Sequence, residues 1–208
     1  MPGARINFIT EKGGDDTMSH NDDFLLTRDD IIRGLIRLGE LAQACGLEVK
    51  FGIVGGAVMV LEYGARELTH DVDAIILAPP ATWAATRAKV FELVEIVAGE
   101  FSWPEDWLND DASQFVDELE YDNLFPIPGI EVYIASTAQM LGLKLSAWRG
   151  GVDTEDASSL LQRMSGSREE IWRAVRPFLV PGYQATAEDA FDSLWIDTYG
   201  YESDWRHN

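Results

Sequence analysis

Gly52-Ile-Val-Gly-Gly-Ala-Val-Met-Val-Leu-Glu-Tyr-Gly-Ala-Arg-Glu-Leu-Thr-His-Asp-Val-Asp-Ala-Ile-Ile-Leu77 is the stretch on which the fold of this chain turns. Val49 to Val54 reads as an apolar strand that ends in a Gly-Gly pair, Gly55 and Gly56. A short helix over Ala57 to Tyr63 follows, with Gly64 as its stop. Val72 to Leu77 is then a second apolar strand. It lacks polar alternation, the pattern of a strand covered on both faces. Asp71 and Asp73 stand at its start. Alternate residues of a strand share a face, so the two carboxylates project side by side while Val72 turns into the core. Carboxylates held that close repel one another unless a cation lies between them. The pair therefore has the geometry of a Mg²⁺ site facing a triphosphate.

Outward from this stretch, residues 1–23 are polar and rich in Gly and Asp, and read as a disordered leader. Thr27-Arg-Asp-Asp30 opens a helix, with Thr27 as N-cap and acids in the first turn. Ile31, Ile32, Leu35, Leu38, Leu41 and Ala42 recur at helical spacing. Gly46 stops that helix after Cys45, which falls on its apolar side and is expected in the core. Pro79-Pro80 ends the second strand, and residues 81–101 are helical. Trp103 to Ala112 is irregular; Trp107 is expected to pack on the sheet and Asn109 to orient a loop. Ile130 to Ala135 is a third strand. Thereafter the pattern is helical: from Thr137 through Trp148, from Asp153 or Thr154 to about Met164, from the capping box Ser167-Arg-Glu-Glu170, and from Ala187 to Trp195. The fold class is thus α+β, a small mixed sheet flanked by helices and followed by a helical C-terminal half. The expected division is a catalytic domain at 24–136 and a helical part, 137–208, packed against it.

The chain has 208 residues, 46% of them hydrophobic, enough for a proper core. Its net charge of −20 repels nucleic acid except through a local basic patch. Arg163, Arg168, Arg173 and Arg176 form the one weak cluster, either such a patch or a solvated helix face. A single cysteine excludes an intrachain disulfide and a cysteine metal cluster. No apolar run is long enough to span a bilayer, and a signal-peptide pattern is lacking, so a cytoplasmic protein is expected.

Gly55-Gly56 followed by Arg66-x-x-Thr69-x-Asp71-x-Asp73 resembles the active-site signature of the DNA-polymerase-β-like nucleotidyltransferase superfamily. The form of the motif is most similar to the small bacterial branch that includes AbiEii-type toxin nucleotidyltransferases. Leu141-Gly-Leu-Lys-Leu-Ser-Ala-Trp-Arg149 with Asp153 and Asp156 resembles a downstream segment of that branch. The resemblance covers roughly Leu47 to Met164. It implies transfer of a nucleoside monophosphate from an NTP to a hydroxyl of tRNA or protein, with Mg²⁺ or Mn²⁺ as the metal. It also implies a possible role as the toxin of a toxin–antitoxin pair, with an antitoxin protein as partner and no DNA or membrane partner. Two alternatives stand beside it. One is a nucleotide- or partner-binding module on the same fold without turnover. The other is an antibiotic-modifying nucleotidyltransferase, which acids lining the acceptor side would support and a basic groove would oppose.

Under this resemblance Asp71 and Asp73 hold the metal, and Gly55 and Gly56 let the backbone approach the phosphates. Arg66 pairs with a phosphate or braces the Asp71–Asp73 loop, and Thr69 supports that loop through its hydroxyl. His70 is expected to be an exposed loop residue. Glu131, the only acid within the third strand, either completes the metal site or is an exposed edge glutamate. Lys144 sits in an apolar helix face and must reach a cleft or an acid; the resemblance gives it the role of neutralising the triphosphate, assisted by Arg149. Asp153 either caps the next helix or contacts Lys144 or the nucleotide.

Overall fold

The computed structural model describes residues 24–116, 118–148 and 151–200. The expected leader and Arg149 lie outside the described residues. The protein is α+β, and its described residues divide between Ala135 and Ser136 into two compact units.

The first unit contains β1 (Leu26–Thr27), α1 (Arg28–Ala44), β2 (Lys50–Val54) and α2 (Gly55–Val58), which widens into a π-helical turn over Met59–Tyr63. It continues with β3 (Leu68–Thr69), β4 (Val72–Ile76), α3 (Trp83–Phe101) and β5 (Leu108–Asn109). A 3₁₀ turn over Asp111–Phe115 leads to the hairpin of β6 (Tyr121–Ile127) and β7 (Ile130–Ala135). Five strands form one mixed sheet in the order β5-β4-β2-β7-β6, and β1 pairs with β3 in a separate antiparallel ribbon. β2 is antiparallel to β4 and parallel to β7.

Strand alternation sorts the sheet into two faces. Phe51, Ile53, Val72, Ala74, Ile76, Val132 and Ile134 share one face and are all buried. α1 buries Ile31, Leu35, Leu38 and Ala42 and packs against α3, β6 and β7. Each of the Ile and Leu side chains, fully buried, contributes about 2 kcal/mol, and Ala42 less. The opposite face carries the apolar Val54 and Ile75 beside Gly52, Asp73, Asn109, Glu131 and Tyr133, and the candidate site lies at its Asp73 and Asn109 end.

Thr27 caps α1 as expected: its Oγ1 accepts from Asp30 N at 3.2 Å, and the Asp30 carboxylate accepts from Thr27 N at 3.1 Å. Gly46 ends the helix, with Leu47 N donating to Ala42 O. Cys45 is a correction. It is exposed rather than in the core, because as the cap residue it has left the helical path (φ −96°, ψ 6°); its Sγ donates to Leu41 O. Trp107 is buried, and the helices hold it. Its Nε1 donates to Val94 O of α3, and its ring lies over Gly34 of α1, where a Cβ would stand 2.8 Å away.

The second unit comprises α4 (Thr137–Ala147), α5 (Val152–Leu161), α6 (Arg168–Val175), a 3₁₀ turn over Arg176–Phe178, and α7 (Gln184–Tyr199). α4 packs against the other three helices and buries residues on every side. Its Ser146 Oγ donates to Gly142 O and accepts from Val180 N, which ties the chain before α7 to the central helix. The capping box at Ser167 forms as expected. The start of α5 differs: Gly151 is its N-cap, and Asp153 and Thr154 lie inside the first turn. Among the described residues no helix is long and apolar enough to cross a membrane.

Candidate functional site

β2 ends at Val54, directly opposite Asp73 on β4. The chain turns at once into α2 through Gly55, whose φ is +72°. L-residues rarely adopt that conformation. Space is equally restrictive, since a Cβ on Gly55 would overlap Asp73 Oδ2. A Cβ on Gly56 would stand 2.6 Å from Thr69 Oγ1 and 3.5 Å from Arg66 Nη1. The structure thus gathers Gly55, Gly56, Arg66, Thr69 and Asp73 around the first turn of α2, which no side chain caps.

Thr69 is buried at the end of β3, and its Oγ1 donates to Asp71 O at 3.2 Å. That bond braces the short loop between β3 and β4. His70 is exposed, with Nδ1 3.1 Å from Phe24 O, as suits a loop residue. Asp71 is half-buried. Burial pushes its carboxyl above the usual range by stripping water from the charged form; the Asn109 hydrogen bond and His70 oppose this, and Asp106 and Asp111 reinforce it.

Asn109 connects Asp71 to the strand beside Asp73. It is the register partner of Asp73 across the β4–β5 pair, and its Nδ2 donates to Asp71 Oδ2 at 3.1 Å. Its Oδ1 accepts from Asp111 N at 3.0 Å, so both ends of the amide are used. The next residue, Asp110, is buried and bound by the guanidinium of Arg87 on α3, at 2.6 Å from Nε and 2.8 Å from Nη2. A cavity of about 370 Å³ opens there, lined by Trp83, Arg87, Asp110, Asp111, Ser113 and Gln114.

Glu131 does not join the site. It faces Lys50, at the opposite end of β2 from Val54, roughly 13 Å away along the strand. There it pairs with Lys50 Nζ at 2.9 Å and accepts from Tyr133 OH. The reading of Glu131 as a metal ligand is therefore corrected to a charged residue of the strand start.

Lys144 belongs to the second unit, where Nζ lies 3.0 Å from Asp153 Oδ1 and 2.8 Å from Asp156 Oδ2. All three side chains are nearly buried. Asp153 is thus held by Lys144 rather than used as a helix cap. Of the arginine group, Arg168 on α6 pairs with Asp192 and lies 3.7 Å from Glu169.

Mg²⁺ takes about six oxygens and commonly keeps only one or two carboxylates, with substrate phosphates and water filling the rest. Asp71 and Asp73 fit that requirement. Asp73's carboxylate lies against a glycine that leaves room for it, and Asn109 holds the Asp71 carboxylate. Among the described residues there is no group of three or more His, Cys, Asp or Glu side chains able to hold a metal ion.

Reading the sequence did not find Arg87 and Asp110. Asp110 stood in an acidic run and Arg87 in an ordinary helix, and nothing local pairs them. No family model matches the chain, and no match was found among the curated proteins or the solved structures.

Proposed function

We propose that this protein is a nucleotidyltransferase that moves a nucleoside monophosphate from an NTP to an acceptor hydroxyl and releases pyrophosphate. One observation carries the reading. The separated elements of the motif, Gly55-Gly56, Arg66, Thr69 and Asp73, meet around one uncapped helix turn, beside the Asn109-bound Asp71.

In this reading Gly55 and Gly56 bring backbone N–H groups to the phosphates, and Arg66 adds positive charge at the same turn. Asp71 and Asp73 hold Mg²⁺ or Mn²⁺, which when bound neutralises phosphate charge. The acceptor oxygen forms a bond to the α-phosphorus, the bond from that phosphorus to the bridging oxygen breaks, and pyrophosphate carries off the electron pair. The hydroxyl proton passes to water. Lys144, already neutralised by two carboxylates, is assigned to the architecture of the helical unit. We place the protein in the cytoplasm, with RNA or protein hydroxyls as acceptors. The net charge of −20 favours a cationic small-molecule acceptor as well.

The second reading is a nucleotide-binding module without turnover. The position of Glu131 favours it, because Glu131 lies at the far end of β2 from Asp73, paired with Lys50. Incubation of the pure protein with Mg²⁺, α-phosphate-labelled NTPs, total tRNA and cell protein separates the two. Label transferred by the wild type and abolished by Asp71→Ala/Asp73→Ala establishes the enzyme. Retained NTP binding with no labelled product from any acceptor, cationic aminoglycosides included, leaves the module.

A further inference from the structure

We infer that Arg87 and Asp110 are positioning residues for the metal pair and act on Asp71 through Asn109. The inference rests on the proposed nucleotidyltransferase reading, because it assigns Asp71 to the metal.

β5 is only two residues long and is the edge strand of its sheet. Its backbone is tied to β4 by little more than the bond from Val72 N to Trp107 O and the two register pairs. So short a strand does not by itself fix the side chain of its last residue, Asn109. Two further restraints do. Asp111 N occupies Asn109 Oδ1, which sets the amide so that Nδ2 points at Asp71. Asp110, between them, is anchored to α3 by a two-pronged ion pair whose carboxylate is buried. A fork of this kind fixes orientation as well as distance. The guanidinium is itself held, with its centre 4.7 Å from the Phe91 ring centroid and 5.9 Å from that of Trp83. The line of support therefore runs from the first turns of α3, through Asp110, to the Asn109 amide and on to the Asp71 carboxylate. Partners behind a metal ligand commonly set affinity by 10- to 100-fold.

A structural role alone gives a different outcome from a positioning role, and a paired substitution separates them. Arg87→Met leaves the Asp110 carboxylate buried and unpaired, so that variant is destabilised for a trivial reason. Arg87→Met/Asp110→Leu removes both charges and restores an apolar contact, so its thermal stability is expected to return close to wild type. Mn²⁺ affinity of the full-length protein, measured by electron paramagnetic resonance without nucleotide, is the readout. We expect the double variant to bind Mn²⁺ about 10-fold more weakly despite its recovered stability, and Asn109→Ala to match it. Wild-type Mn²⁺ affinity in the stable double variant would overturn the inference and leave the metal reading intact. Absence of Mn²⁺ binding by the wild type, or binding that survives Asp71→Ala/Asp73→Ala, would overturn the metal reading and the inference with it. A double variant that does not recover stability is replaced by Asn109→Ala, whose unchanged affinity would equally overturn the inference.

Discussion

Gly55 concentrates the demands of the site at one residue: a left-handed backbone and a carboxylate oxygen where a side chain would begin. Gly55→Ala is expected to cost about 1–2 kcal/mol for the backbone alone, and to displace Asp73. Thermal unfolding should show the loss, and NTP transfer should fall more steeply than the stability change explains. Asp71 makes the opposite prediction. Burial raises its carboxyl above the ordinary range, so the folded state favours the protonated form. That stabilising contribution is fully present below the unfolded value of about 3.9 and is lost as pH rises through the folded one. Asp71→Asn, measured without metal, should therefore melt above the wild type at pH 8, with the difference shrinking as pH falls through the raised value of Asp71, although the variant cannot hold the metal. An unchanged or growing difference on acidification would contradict the assignment. Motif spacing made Asp71, Asp73, Gly55 and Gly56 legible, because each depends on a strand end that the apolar runs define. Glu131 was legible as a strand residue but not as to which end of the neighbouring strand it meets. That is fixed by the parallel register of β2 and β7, which pairs it with Lys50.

Helices α4 and α5 meet at Lys144, held by two buried carboxylates. Lys144→Met leaves those carboxylates without their ammonium and should cost about 3–5 kcal/mol, seen as a lower urea midpoint. Lys144→Met/Asp153→Leu/Asp156→Leu should regain much of that loss. If transfer activity also returns in the triple variant, Lys144 is architectural, as its pairing suggests; persistent loss would give it back the triphosphate role implied by the resemblance. At this scale the long elements were legible and the short ones were not. α1, α3, β2, β4 and β7 carry apolar runs or helical spacing of four residues or more. β1, β3 and β5 are two residues each, below the length at which a period exists. β6 was missed for another reason. Asp122, Asn123 and Pro126 argue against a strand, and Pro126 is tolerated because β6 is an edge. The omission had a cost for the site, because β5 carries Asn109, which binds Asp71 and stands opposite Asp73.

The whole molecule carries a charge of −20, and its main arginine group is partly spent on Asp192 and Glu169. A surface of this kind gains little counterion release from a polyanion, the term that gives nucleic-acid-binding proteins their steep salt dependence. The proposed activity on total tRNA is therefore expected to change less than about three-fold between roughly 50 and 200 mM salt, whereas six to ten phosphate contacts would cost about 10³–10⁵ in affinity over that range. Rates at fixed free Mg²⁺ and varied KCl give the slope directly. A steep decline with tRNA would favour the basic-patch reading of Arg163, Arg168, Arg173 and Arg176. A flat response with tRNA and a steep decline with a cationic acceptor would follow from the −20 charge, and would direct the search for the natural acceptor towards positively charged hydroxyl compounds.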